Sequence, residues 1–214
     1  MFNYSTFILK GGLFNLYGNL TSLDNYISTH NDRSNKYMHM FENTNVYDCS
    51  KLNIGIKTFG YNSFWAFNNM FSNCKYLVKL PELPATTLGE SCYRSMFGGC
   101  TSLTTIPELP ATTLVEMCYD SMFRDCTSLV ETPEGWYLPA QTTAPYSCSS
   151  MFSCCYRLHK MAVSYSGTIN SSDWYNFLIN VSSTGTFYYS KNQTEENIRS
   201  IVPSGWTLVQ STEW

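Results

Sequence analysis

The sequence predicts an α/β repeat fold: a right-handed solenoid of about five turns, with short strands on one side, short helices on the other and a cap at each end. The first observation is the pair Met-Phe, which recurs at 40–41, 70–71, 96–97, 122–123 and 151–152. The second is a cysteine four residues after the methionine in the last four copies, with a leucine three residues further on. A period of this length, kept over several copies, is typical of stacked repeats.

Each unit, from one Met-Phe pair to the next, divides into three predicted segments. Tyr93, Met96, Phe97 and Cys100 are spaced i, i+3, i+4 and i+7, which predicts one face of a short helix. Residues 103–109, LTTIPEL, predict a brief strand that ends at a proline, since proline cannot donate to a ladder. Residues 110–114, PATTL, predict a second extended run leading into the next helix.

Stacking gives the predicted units a common interior. No single turn can bury its own apolar side chains, so neighbouring turns must share one core. The predicted core ladder consists of the repeated phenylalanines, cysteines and leucines: Phe41, Phe71, Phe97, Phe123, Phe152, Cys74, Cys100, Cys126, Cys155, Leu77, Leu103, Leu129 and Leu158. The repeated threonine pairs at 86–87, 112–113 and 142–143 predict hydrogen-bonded ladders.

The chain has nine cysteines, an odd number, so at least one has no partner within the chain. Their repeat positions favour small buried side chains, because free cysteine is among the most buried residue types. A disulfide between neighbouring ladder members is the alternative. Cys154, Cys155 and His159 lie close in sequence but fall short of four converging metal ligands. The sequence therefore predicts neither a metal nor a cofactor.

Composition narrows the class of partner. Only 14% of residues are charged, aromatics reach 16% and the formal net charge is −3. Such a chain has no electrostatic reason to approach nucleic acid. No stretch approaches the roughly 18 apolar residues of a membrane span, and the N-terminus lacks the pattern of a signal peptide. The location stays open between the cell surface and a virion.

We predict one structural domain in three parts. Residues 1–35 form an N-terminal cap or docking segment with a strand pair around Gly11-Gly12. Residues 36–163 form the repeats. Residues 164–214 form a C-terminal cap, in which 171–173 begin a short helix over 174–180 and strands follow at 185–189 and 205–209.

Two groups of residues are candidate binding sites. Glu82, Glu108 and Glu134 fall at the same point of three consecutive turns, and form either a solvated rim or a carboxylate ladder for a cation or basic partner. Trp136 and Tyr137 lie in a three-residue insertion. Insertions in repeat arrays protrude and often carry recognition, although this one can also cover the C-terminal cap.

Catalytic residues are not predicted. The three histidines, His30, His39 and His159, belong to no catalytic motif, and no glycine-rich phosphate loop is present. No carboxylate pair is singled out among the 16 acidic residues. The sequence predicts a protein that is not an enzyme.

The repeat wording MF-x-x-C-T-S-L-x-x-x-P-E-L-P-A-T-T-L resembles the BspA-type leucine-rich repeats of Bacteroidales surface proteins and related gut-phage proteins. The resemblance covers residues 36–163 and is strongest over 70–134, and the tail segments 181–187 and 201–207 resemble the end of such arrays. It implies a leucine-rich-repeat fold and a non-catalytic recognition or adhesion module that presents its repeats to a protein or glycan.

The same resemblance allows a second reading: a structural or host-recognition component of a gut Bacteroidales phage, in a capsid decoration, tail or fibre. The first unit departs from the pattern, since Thr44 stands at the cysteine position. In a free adhesin, residues 1–35 should cap the array. In a virion they should bury an apolar strand against another virion protein, and the chain should form an oligomer.

Overall fold

The computed structural model of the chain describes residues 12–20, 37–59, 64–133, 136–165 and 167–213. The described elements are, in chain order, β1 (Phe14–Asn19), β2 (Val46–Asn53), β3 (Lys160–Val163), β4 (Gly185–Tyr189), α1 (Glu195–Arg199) and β5 (Trp206–Gln210). β1 and β2 form one small sheet, and β3, β4 and β5 form a second in that order. All these strand pairs are parallel.

The predicted leucine-rich-repeat solenoid, with short helices along one side, is wrong. Among the described residues the only helix is α1, which is five residues long and lies outside the repeats. Residues 64–133 contain no strand, and contacts such as Asp48–Lys79 and Glu131–Lys160 are single parallel bridges. Pro81 contributes to this, because it lies two residues after the bridge at Lys79 and has no N–H to donate.

Runs of turns occupy the places of the predicted helices. We call them turn rows, and they span 37–43, 64–73, 90–99, 116–125, 145–154 and 171–180. Within a row every fourth residue has positive φ, as at Ser91 (53°), Ser95 (50°) and Gly99 (74°). A left-handed residue in each group of four prevents an α-helix from propagating. The intervening residues close turns instead, as in the bond from Arg94 N to Ser91 O at 3.2 Å.

Neighbouring turn rows are joined by backbone hydrogen bonds. In row 90–99, N–H groups two residues apart donate to the next row: Tyr93 N to Cys118 O at 3.1 Å, Ser95 N to Asp120 O at 2.8 Å and Phe97 N to Met122 O at 3.0 Å. The N–H groups between them close the turns of their own row. This alternation gives a partner to each backbone N–H from Ser91 to Gly99, as burial requires.

The predicted helix over 174–180 is the sixth turn row. Ser150 N donates to Tyr175 O at 2.7 Å, and Phe152 N donates to Phe177 O at 3.1 Å, in the register of the earlier rows. Its positive-φ residues, Asn176 (54°) and Asn180 (57°), are again four apart. This row carries no Met-Phe pair, so it is recognised from its backbone conformation and hydrogen bonds and not from its sequence.

Two columns of aromatic rings run through the core. Phe41, Phe71, Phe97, Phe123 and Phe152 stack with centroids 5.4–5.8 Å apart and interplanar angles of 8–15°. Tyr37, Phe67, Tyr93 and Tyr119 form the second column, with centroids 4.9–6.2 Å apart. Phe177 ends the first column by meeting Phe152 edge-on at 83°. The predicted phenylalanine positions therefore lie in one row within a single hydrophobic cluster.

The ends of the chain differ in part from their predictions. β1 pairs with β2 in parallel, and the strand predicted before Gly11-Gly12 lies outside the described residues. The strand predicted over 185–189 is confirmed as β4, and β5 begins one residue later than predicted. The helix of this region is α1, where the Thr194 side chain accepts a bond from Asn197 N.

β5 is the outer strand of its sheet, and side chains occupy part of its open edge. Arg199 Nη1 donates to Trp206 O at 2.9 Å. The side-chain amide of Gln210 donates to Lys191 O at 3.2 Å and to Gln193 O at 2.9 Å, which ties the end of the strand to the preceding loop. A short, obstructed edge is a common protection against pairing with another chain.

Candidate recognition surface

The repeated cysteines bind one unit to the unit before it. Cys74, Cys100, Cys126 and Cys155 each direct the thiol to the carbonyl oxygen of the preceding unit's phenylalanine, at 3.0–3.2 Å. All nine cysteines are free thiols, and eight are buried. The predicted ladder cysteines and leucines are fully buried, so they contribute to the interior and not to a surface site.

Burial suppresses the chemistry of these thiols. It raises the pKa of Cys92 and of Cys155 to about 12, so both stay protonated at neutral pH. A protonated thiol is neither a nucleophile nor a metal ligand. His159 is exposed, whereas the Cys155 thiol points to Phe123 O. Among the described residues, no three His, Cys, Asp or Glu side chains are grouped as metal ligands.

Two of the three acidic candidates lie among the described residues. Glu82 and Glu108 are exposed, and the buried Leu83 and Leu109 follow them in the chain. Neither carboxylate forms an ion pair within the described part of the chain. Glu134 lies outside the described residues, so the three-membered row is not tested.

The insertion exposes one aromatic ring and not two. Trp136 is 2% exposed, and its indole N–H donates to Pro107 O of the preceding unit at 3.0 Å. The interpretation of Trp136 as an exposed binding residue is therefore wrong, because its ring fills the interior and its polar atom is satisfied there. Tyr137 is 37% exposed.

A stronger candidate lies where each turn row passes into the next extended segment. Two residues separate the buried cysteine from the buried leucine in four consecutive units. We call these eight residues the corner ridge: Lys75, Tyr76, Thr101, Ser102, Thr127, Ser128, Tyr156 and Arg157. Ser102 N donates to Lys75 O at 3.2 Å, so adjacent corners lie side by side. The stacked phenylalanines beneath them continue the same register.

The outer corners differ from the inner corners in the same way. The two inner units carry Thr-Ser, whereas the outer units carry Lys75-Tyr76 and Tyr156-Arg157, each a tyrosine with a cation. Tyr76 is 50% exposed and Tyr156 58% exposed, so packing does not account for either ring. Sequence reasoning missed this site, although aligning the four corners by their cysteines would have revealed the two substitutions.

Charge on the corner ridge is positive. Lys75 and Arg157 form no ion pair among the described residues, whereas the nearby Arg124 is paired with Asp125 at 3.4 Å. A hydrogen bond with Cys154 raises the pKa of Tyr156 above its ordinary value, and the phenol adds no charge to the ridge at neutral pH. Two unpaired cations thus stand on a chain whose net charge is −3.

The described part of the chain contains no helix long and apolar enough to cross a bilayer. Comparison with protein-family models, with curated proteins and with solved structures finds no match. The similarity of the repeats to BspA-type proteins therefore has no support beyond the repeat sequence itself.

Proposed function

We propose that the chain is a non-catalytic recognition or adhesion module that binds a protein or glycan through the surface of its repeats. The observation that carries this proposal is the pair Tyr76 and Tyr156. Both rings are exposed at positions where the same backbone accepts threonine or serine in the inner units. An exposed ring gains little from folding, so its presence at both ends of one ridge favours a role in binding.

Tyrosine suits such a role for physical reasons. Its ring offers a large flat apolar area and its hydroxyl group a polar contact, and few rotatable bonds are frozen on binding. Between the two rings, the side chains of Thr101, Ser102, Thr127 and Ser128 are partly exposed and carry hydroxyl groups. The ridge thus combines apolar faces with hydrogen-bonding groups, as recognition surfaces do.

The thiols support the non-catalytic part of the proposal. The pKa of each ladder cysteine is raised, first of all by desolvation. Their hydrogens are directed to main-chain carbonyls of the neighbouring unit. Groups committed in this way stabilise the fold and are not available to a substrate.

A binding screen with matched variants tests the proposal. The double variant Tyr76→Ser/Tyr156→Thr restores the residues that the inner units carry at the same positions, and the control Tyr137→Ser removes an exposed tyrosine elsewhere. We expect a glycan array, or a pull-down from bacterial envelope fractions, to yield a ligand that the control retains and the double variant loses. If the double variant binds the ligand as well as the control does, the corner ridge is not the binding site.

A virion component is the second candidate, and β1 is the observation that favours it. Leu13 is 55% exposed and Tyr17 67% exposed, so an apolar strip beside the strand is accessible to another chain. Sedimentation of the wild type and of Leu13→Ser/Tyr17→Ser distinguishes the candidates. A defined oligomer that the variant loses supports the virion candidate, and a monomeric wild type at high concentration opposes it.

A further inference from the structure

We propose that the ligand of the corner ridge is an extended anionic oligosaccharide, one that carries carboxylate or sulfate groups and lies across all four units. This inference rests on the proposed function and specifies its ligand. It is drawn from four features of the ridge: its length, the arrangement of its two ends, the hydroxyl groups between them and its charge.

The ridge is long and narrow. Ser102 N donates to Lys75 O between the first two corners, and units stacked at steps of about 5–6 Å place the outer corners roughly 15–17 Å apart. The phenylalanine column beneath keeps this register over the same units, with centroid steps of 5.7, 5.8 and 5.5 Å. A ligand that contacts both ends must therefore be extended, with several similar residues in a row.

The two ends are arranged diagonally. Lys75 occupies the first corner position and Arg157 the second, while Tyr76 and Tyr156 occupy the opposite positions. The four first positions of the corners therefore form a row with a cation at one end and a tyrosine at the other. The four second positions form a parallel row in which these two ends are reversed. A chain of sugars offers apolar ring faces for stacking and peripheral groups for the cations, in a repeating order that fits this pattern.

Hydroxyl side chains between the ends suit the same ligand. Thr101, Ser102, Thr127 and Ser128 are partly exposed, and each hydroxyl group can donate and accept. Sugar hydroxyls have the same dual capacity. The inner corners carry no apolar side chain and no charged group, so they provide no contacts for the apolar face or the charges of an amphipathic helix.

Charge selects an anionic glycan over a neutral one. Lys75 and Arg157 are exposed and form no ion pair among the described residues, so a ligand acid would be their first partner. Arginine holds a carboxylate or sulfate through two parallel hydrogen bonds. Two cations are too few for nucleic acid, whose binding depends on neutralising many phosphates.

Calorimetry with defined probes tests the inference. The probes are oligogalacturonate and a heparin-derived oligosaccharide, with fully methyl-esterified oligogalacturonate as the neutral match and oligoglutamate as an acidic peptide. We expect at least one anionic sugar to bind at least tenfold more tightly than the ester and the peptide. Its affinity should fall as salt rises.

Matched variants locate the binding. Lys75→Thr/Arg157→Ser should weaken the anionic sugar at least tenfold, whereas Lys57→Thr/Lys191→Ser makes the same change of net charge at exposed positions elsewhere and should have little effect. Equal weakening by both pairs would mean that net charge alone acts, which overturns the inference. Equal affinity for the esterified sugar or for the peptide overturns it as well.

The inference and the proposed function fail in distinguishable ways. If a neutral glycan or a protein binds and Tyr76→Ser/Tyr156→Thr abolishes that binding, the ridge is still a recognition site and only its anionic specificity is wrong. If no ligand depends on these tyrosines, both fall. If neither anionic sugar binds, the proposed ligand class is excluded. The variants change exposed side chains, so their thermal unfolding should match that of the wild type.

Discussion

The thiol of Cys100 donates to the carbonyl oxygen of Phe71 in the preceding unit, at 3.2 Å. The same oxygen accepts the backbone N–H of Cys74 at 3.1 Å, within its own unit. This carbonyl oxygen thus accepts one hydrogen bond from its own unit and one from the next unit. Cysteine is suited to this place because it is small and apolar and still brings a donor.

Cys100→Ala removes that donor and leaves a small void. We expect a loss of about 1–2 kcal/mol in the free energy of unfolding, since a buried hydrogen bond and a few contacts are lost. Urea unfolding under reducing conditions measures the change. Cys154→Ala, at the half-exposed cysteine, is the control, and we expect less than about 0.5 kcal/mol there. Equal losses at the two sites would mean that the thiol bond contributes nothing.

Thiol reagents should distinguish one cysteine from the other eight. Cys154 is the only cysteine that is not buried. We therefore expect one fast equivalent with a disulfide reagent in the native state and nine in denaturant. Mass spectrometry after alkylation should place the fast label on Cys154, and Cys154→Ser should abolish it. Rapid labelling of Cys92, whose pKa is raised to about 12 by burial, would contradict this accessibility.

The phenylalanine column should tolerate truncation at its end better than in its middle. Phe97 is fully buried with a ring stacked on each side, whereas Phe41 is partly buried and stacks only on Phe71 within the column. We expect Phe97→Ala to cost about 3–5 kcal/mol and Phe41→Ala clearly less. Chemical unfolding compares the two, with Phe97→Leu as a control that keeps an apolar side chain and removes less volume than Phe97→Ala. A larger loss for Phe41→Ala would show that the first unit and not the middle holds the column.

Alkaline pH should destabilise the chain through its buried thiols. Burial raises the pKa of Cys92 and Cys155 from 9.0 to about 12 in the folded state. Below pH 9 the thiols are protonated in both states, so stability does not change on their account. Between pH 9 and 12 only the unfolded chain ionises, which costs about 1.4 kcal/mol per pH unit for each thiol.

The urea midpoint should therefore stay level from pH 7 to about 8.5 and fall above pH 9. Cys92→Ala removes one such group, and its slope above pH 9 should be shallower than that of the wild type. A wild-type midpoint that does not move up to pH 10.5 would show that the thiols are accessible to ionisation in the folded state.

The sequence predicts which residues share the hydrophobic core, but it does not predict the backbone conformation that brings them together. Met96, Phe97 and Cys100 have helical spacing, and the same spacing arises in a turn row because its residues also repeat every four positions. The distinguishing signal was at Ser91, Ser95 and Gly99, which have positive φ. Small and polar residues at a period of four, seen also at Asn69 and Asn73, favour left-handed turns over a helix.

The candidate site was harder to predict. The insertion predicts Trp136 as a binding residue, but sequence does not reveal whether a ring is buried, and this indole N–H donates to Pro107 O in the interior. Tyr76 and Tyr156 attracted no attention because each lies inside a regular unit. Aligning the corners by their cysteines shows that they replace serine and threonine, and the structure adds that both rings are exposed.

The alternating hydrogen bonds of row 90–99 imply that the repeat array can be lengthened by duplicating one unit. The row donates to row 116–125 in the register in which it accepts from row 64–73. Duplication of residues 91–116 would therefore insert one more Thr-Ser corner without altering either neighbour. The distance between the Lys75-Tyr76 end and the Tyr156-Arg157 end would grow by one step, so the number of repeats would set the length of the proposed ligand.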